Sequence, residues 1–423
     1  MNQNIRISFS FNEWLIWFRA ANFNHKVFIF YTLVNPIINL LWSVKVPGFG
    51  KSVTSMINAV FISYLMISIF LNFKKPSLNS PIYNLINFFC FLFVLKTLYY
   101  FFYVSEFHFI EQAIRDLIFY IYFYMLFIVV KNEYDFLMII RTYLYSYYFI
   151  VINFLSGFSS TTRESRGFDR DTLGYYDGTN VALQSVFVLA FLAFLYIYYS
   201  ENKHKFTKRI HAEIFFLLIN CILIIKGSYH ILSYLNAGFI FLLFFLNSLK
   251  SVKSIVLTSI VFLPIVYIVL TSMNVIETFY KVIVRDFNFA MSGTIPTYLL
   301  HGRVKIWSDY VEKYNSLNLF EIITGYYSIP SPHASAYAHN DFLRIFATVG
   351  LLGFVTYFLI LFLFLMDIRK IKNTSIKWVG FVLLSVTLLF SFTIGVTSYT
   401  FVCLPLVATM VFIIKYNMGI LLN

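Results

Sequence analysis

Residues 341–366 read DFLRIFATVGLLGFVTYFLILFLFLM, and after Asp341 and Arg344 no charged residue interrupts the run. About 20 apolar residues suffice to carry a helix across a hydrocarbon core of about 30 Å. A lone strand of the same composition would leave its peptide groups unsatisfied in lipid, so the run is expected to be a membrane-crossing helix.

The same pattern recurs outward along the chain. Apolar runs lie near 27–44, 53–73, 82–104, 113–130, 136–157, 179–199, 212–226, 231–249, 255–273, 378–396 and 398–415. With 341–366 they make about twelve spans, or eleven if the closely spaced last pair counts as one. Of the 423 residues, 60% are hydrophobic, against about 45–50% in soluble domains. A chain of this composition cannot hide its apolar surface in a water-soluble globule, and the expected fold class is an all-α polytopic integral membrane protein. Cys90, Cys221 and Cys403 each fall within a predicted span, which leaves the loops without a disulfide or a thiolate metal site.

Basic residues sort to one side. With the N-terminus inside, Arg6, Arg19, Lys26, Lys74, Lys75, Lys131, the cluster from Lys203 to Arg209, Lys250, Lys253, the cluster from Arg369 to Lys377 and Lys415 all face the cytoplasm. The short turns opposite keep Lys45, Lys51 and Lys226. This asymmetry is the positive-inside pattern, so the net charge of +13 is a topology signal. Nucleic acid is excluded as a partner, because no soluble face carries a basic stripe.

The implied organisation is an N-terminal cytoplasmic or interfacial segment 1–26, five spans within 27–157, an outer loop 158–178, four spans within 179–273, a large outer loop 274–340 and three spans within 341–423. Residues 1–26 lack a compact apolar core followed by a cleavage site, so no cleavable signal peptide is expected. Phe9, Phe11, Trp14, Leu15, Trp17 and Phe18, beside Arg6 and Arg19, suggest a short helix in the headgroup layer.

The chemistry-bearing residues concentrate in the outer loops. In 158–178, Arg163, Arg166 and Arg170 alternate with Glu164, Asp169, Asp171 and Asp177. Arginine's planar fork suits bidentate binding of phosphate, while mutual pairing of these charges on a solvated loop is the plainer reading. Asp169 and Asp171 could hold a divalent cation, although Arg170 between them is a simpler counter-ion. In 274–340, periodicity predicts short amphipathic helices around 276–290 and 303–314, separated by Gly293 and Pro296. His301, Arg303, His333, His339 and Asn340 lie in the rest of that loop; Asn340 is also placed to cap the following helix. Among in-span charges, Lys96 and Arg141 stand out; Lys96 is either a functional group or a snorkelling side chain.

His339-Asn340-Asp341-Phe342-Leu343, followed by Val349-Gly350-Leu351-Leu352-Gly353, resembles the His-Asn-x-x-Leu and Gly-Leu-x-Gly signature of the O-antigen polymerase and O-antigen ligase superfamily. Gly302-Arg303 with Ile306-Trp307 is similar to that family's Gly-Arg-x-x-x-Trp element. The loop with Arg163 and Gly174, which ten residues separate, and Asn180 resembles its earlier outer loop. The resemblance covers about 160–360 and implies a GT-C-like glycosyltransferase architecture in a bacterial inner membrane, both termini cytoplasmic and the active site periplasmic. The implied donor is a glycan on a polyprenyl diphosphate, with membrane lipids and a chain-length regulator as further partners and no metal or cofactor. By that resemblance His339 would be the general base, or the group orienting the acceptor hydroxyl, and Asn340 would fix the turn beside it. Arg303 with Arg163, Arg166 or Arg170 would clamp the diphosphate. Polymerase is the expected activity. The ligase alternative is weakened because Lys226-Gly227-Ser228-Tyr229-His230 lacks the Ser-Arg pair that ligases resemble one another in at this place. A carrier of lipid-linked sugars is a third reading, disfavoured by the absence of a sequence repeat.

Overall fold

The computed structural model describes residues 10–46, 52–72, 80–99, 102, 107–157, 162–165, 168–175, 178–201, 208–228, 230–248, 267, 271, 274–291, 312, 314–325, 340–392 and 400–421. Among them the chain is helical apart from one β-hairpin. The elements are α1 (Phe11–Ala20), α2 (Phe23–Leu40), α3 (Val53–Asn72), α4 (Pro81–Tyr99), α5 (Phe107–Val129), α6 (Glu133–Ser156), β1 (Thr162–Ser165), β2 (Phe168–Asp171), α7 (Gly178–Glu201), α8 (Lys208–Ser228) and α9 (Ile231–Ser248). Then follow α10 (Val275–Met291), α11 (Leu319–Thr324), α12 (Asp341–Lys370), α13 (Thr374–Ser391) and α14 (Thr400–Asn417).

Each expected span coincides with a described helix except 255–273, of which only positions 267 and 271 are described. Among the described residues, eight helices are long and apolar enough to cross a membrane: α2, α3, α4, α6, α7, α8, α12 and α13. Shorter apolar stretches run over Leu117–Val129, Leu232–Asn247 and Cys403–Asn417. The described residues are thus nearly all helical, with the several long apolar helices of a multi-pass, all-α membrane protein. The amphipathic helix expected at 276–290 is α10; of the one expected at 303–314, only positions 312 and 314 are described.

Helix α7 is the hub of the bundle. Of its apolar window 89% is buried inside the protein, against 22% for α3 at the rim. Since lipid tails are as apolar as leucine, hydrophobicity does not hold these helices to one another; close packing and polar contacts do, at about 0.6 kcal/mol per interhelical hydrogen bond. Such contacts are frequent here. Tyr147 and Ser185 share a hydrogen bond of 2.6 Å between α6 and α7, and Thr54 on α3 donates to the Ile38 carbonyl of α2 at 2.6 Å.

The expected N-terminal helix is present as α1, and it has a partner in the bundle. Trp14 Nε1 donates to Thr142 Oγ1 at 2.9 Å and Trp17 Nε1 to Asp135 Oδ1 at 2.8 Å, so α1 is docked on α6 through both indoles. Buried Trp14 stacks on Phe18 and meets Tyr145 edge-on. A buried indole requires an acceptor for its N–H, and a helix partner supplies one where lipid cannot. Residues 1–9, with Arg6 and Phe9, lie outside the described residues.

Candidate functional site

Polar contacts sort the helix ends into two sets. At one end, buried Lys415 of α14 donates from Nζ to the Phe127 and Val130 carbonyls, each at 2.6 Å, and sits 4.5 Å from the Phe127 ring centroid. It thereby satisfies the last carbonyls of α5, where a cation also complements the helix dipole. Asn417 donates to the Asp367 carbonyl, and Glu201 accepts from the Ser375 amide. Two turns into α6, Arg141 grips Glu213 of α8 with two contacts of 2.8 Å, while Tyr148 donates to the same carboxylate at 2.9 Å. The basic end of the bundle is thus tied together by its own charges.

The opposite end carries the hairpin. β1 and β2 pair antiparallel with Thr162 opposite Asp171, Arg163 opposite Arg170, Glu164 opposite Asp169 and Ser165 opposite Phe168. By backbone register, then, residues of like charge type are partners at two successive positions, a choice that a free hairpin would not favour. The segment expected to be a loop is a strand pair, which fixes Arg163 and Arg170 as direct cross-strand neighbours; Arg166 lies outside the described residues.

A buried turn anchors the hairpin. Tyr175 N donates to the Thr172 carbonyl, and Leu173 and Gly174 take left-handed φ values of 50° and 76°. Asn153 at the end of α6 donates to the Leu173 carbonyl at 2.7 Å, and Trp42, just past α2, donates to that of Gly174 at 2.8 Å. β2 also packs against α8. The arginine rung is thus carried by three spans.

The start of α12 stands at the same end. Asn340 caps it: the side chain accepts from the Leu343 amide at 3.0 Å. Asp341, fully buried, pairs with Arg344 one turn on, at 3.0 Å to Nη2 and 3.1 Å to Nε. Phe342 packs on Phe392 at 5.0 Å between centroids, and Phe390, on the same end of α13, stacks over buried His230. The His230 ring contacts Ser233 Oγ at 2.8 Å.

Helix α12 is broken two turns in. Val349 and Gly350 leave helical geometry, Gly350 with φ 67° and ψ −168°, a region open essentially to glycine. The break receives the end of α11. A Cβ on Gly350 would lie 2.3 Å from the Ile323 carbonyl oxygen, and one on Gly325 would lie 2.4 Å from that of Thr348. Two backbones touch here without side chains between them. Beneath the first turns of α12, Phe89, Phe93, Tyr120, Arg344, Tyr357 and Leu406 enclose a small cavity between α4, α5, α12 and α14.

Of the expected site residues, the structure makes Arg163 and Arg170 partners in the backbone register of the hairpin and gives Asn340 the role of a cap. Arg303 and His339, with His301 and His333, lie outside the described residues. Lys96 is buried, 3% exposed, and so does not snorkel. The reading from sequence missed the buried Asp341–Arg344 pair, for which the i, i+3 spacing was the available signal, and Glu213 as the partner of Arg141. No sequence pattern marks His230. Outside the spans, the hydrogen bond and charge of Lys281, 2.7 Å away, hold the Glu277 carboxyl below its usual range.

No protein-family model matches the chain. No curated protein matches it either.

Proposed function

We propose that the chain polymerises a surface polysaccharide, transferring a growing polyprenyl-diphosphate-linked glycan onto an incoming lipid-linked repeat unit at the periplasmic face of the inner membrane. On this reading the twelve spans form a GT-C-like scaffold with both termini in the cytoplasm, and the hairpin end faces the periplasm. The observation that carries it is the Arg163–Arg170 rung. Two arginines at partner positions of one hairpin suit an anion bearing more than one charge, and a diphosphate is such an anion.

The chemistry then runs through one displacement. The acceptor hydroxyl oxygen attacks the anomeric carbon, the bond from that carbon to the diphosphate oxygen breaks, and the polyprenyl diphosphate leaves with the electron pair. His339 accepts the hydroxyl proton, as an imidazole with an unperturbed pKa of about 6.5 can near neutral pH. Arg303, with one or more of Arg163, Arg166 and Arg170, meets the charge that grows on the leaving oxygen. Asn340 holds the turn that follows His339. The resemblance of the His339–Gly353 string supports the assignment, and the glycine-only seat at Gly350 gives half of that string a structural reason.

The test is single substitution. His339→Ala and Arg303→Ala are expected to abolish polymer while membrane abundance stays normal. Full activity of His339→Ala removes the base assignment, and loss of abundance in both variants makes the residues structural. A deletion strain separates the activities: one repeat on the lipid core indicates a polymerase, none a ligase, and lipid-linked repeats held on the cytoplasmic leaflet a carrier.

A further inference from the structure

Helix α10 divides into three sectors. Thr278 is buried, and Phe279 packs on Tyr234 at the start of α9, 5.6 Å between ring centroids; the helix also touches α8. Ile276, Tyr280 and Ile283 recur at i, i+4 and i+7 and are 40%, 66% and 40% exposed. Glu277, Lys281 and Asn288, also exposed, form a second stripe rotated by about 100° from the first. Going round the axis, the order is packed face, open apolar stripe, open polar stripe.

We propose that α10 lies in the plane of the membrane surface at the hairpin end, with Ile276, Tyr280 and Ile283 set into the boundary between lipid headgroups and acyl chains and the polar stripe in water. The order of sectors is what a helix at the edge of a bundle needs, since one flank meets the bundle, the next the leaflet and the third the aqueous phase. Its neighbour α9 exposes Leu235, Leu242 and Leu246 at 51%, 54% and 54%. That lipid-facing flank begins beside Tyr234, where α10 is seated. Tyrosine, with an apolar ring and a polar tip, suits this depth. The helix would tether the start of the 274–340 segment at the level of lipid phosphates. This holds whether or not His339 and Arg303 are catalytic.

The experiment places single cysteines at 276, 280 and 283, and at 277, 281 and 288, in a Cys90→Ala background; Cys221 and Cys403 are buried. Each full-length variant that elutes as a monodisperse peak is labelled with an environment-sensitive fluorophore in phosphatidylethanolamine–phosphatidylglycerol nanodiscs. Quenching by lipid carrying a shallow doxyl group is expected to be at least about twofold stronger at the apolar stripe than at the polar one, with iodide showing the reverse order. Equal iodide quenching at all six positions would overturn the proposal in favour of a water-exposed cap. Protection of the apolar stripe from both quenchers, with cross-links between copies at position 280, would overturn it in favour of a second chain as the partner.

Discussion

Replacing Gly350 by alanine tests whether the large loop is seated on the break in α12. The added Cβ meets the Ile323 carbonyl oxygen at 2.3 Å and the Gly325 amide nitrogen at 2.4 Å, both backbone atoms that no rotamer change can move aside. The residue must also keep φ 67° and ψ −168°. Backbone strain of that kind costs about 1–3 kcal/mol, and overpacking adds about 1–3 kcal/mol. The sum of about 2–6 kcal/mol is a large part of the 5–15 kcal/mol that holds a typical domain together. Gly238, in α9 with nothing within 4 Å of its built Cβ, is the control; Gly238→Ala should be neutral or gain up to about 1 kcal/mol of helix propensity. The assay is the midpoint of heat-induced loss of monodisperse protein in detergent. Gly325→Ala should act through the same contact, so the double variant should lose less than the sum of the singles. A Gly350→Ala protein as heat-resistant as Gly238→Ala would refute the seat.

Three further outcomes follow from the same geometry. Glu213→Leu alone strands the buried Arg141 guanidinium and should cost about 3–5 kcal/mol, Arg141→Leu, which leaves a half-buried carboxylate, should cost less, and the double leucine variant should recover most of the loss; equal melting of all three would mean that the pair is solvated. Lys415→Met leaves the Phe127 and Val130 carbonyls uncovered and should cost about 1–3 kcal/mol, read as faster hydrogen exchange at the end of α5. Arg163→Glu turns the like-charge rung opposite Arg170 into an attractive one, so melting should hold or rise slightly, by about 0.2–1 kcal/mol, while polymer formation falls at least tenfold; unchanged polymer would remove the diphosphate role.

Span positions were legible because hydrophobic length in lipid leaves one solution, and the expected runs fell on helices even where boundaries moved by several residues, as at Thr374–Ser391 for the run 378–396. What sequence did not disclose is what each charge touches. Lys415 reads as a cytoplasmic surface lysine, yet it is buried on two carbonyls of a helix almost 300 residues away in sequence. Arg141 stood out without its partner, since Glu213 is 72 residues on. The hairpin was hidden for a different reason: alternating Arg, Glu, Asp and Ser carry almost no strand propensity, and the pairing comes from anchors at Trp42 and Asn153 on distant helices. Asn340 was legible as a cap because the residue type and its place before an apolar run suffice.

The two ends of the bundle treat charge in opposite ways. At the basic end each buried cation has a partner of its own: Arg141 has Glu213, and Lys415 has the end of α5. At the hairpin end the strand register does the reverse, setting arginine against arginine and carboxylate against carboxylate. A slip by one residue would bring Arg163 opposite Asp169 or Asp171, so the like-charge rungs persist against a local alternative of better sign. Tertiary anchors impose them, through the turn at 172–175 that α2 and α6 hold. Proteins that break a local sequence rule do so at functional or strained sites and offset it elsewhere, and here the offset is the anchoring of the turn by Trp42 and Asn153.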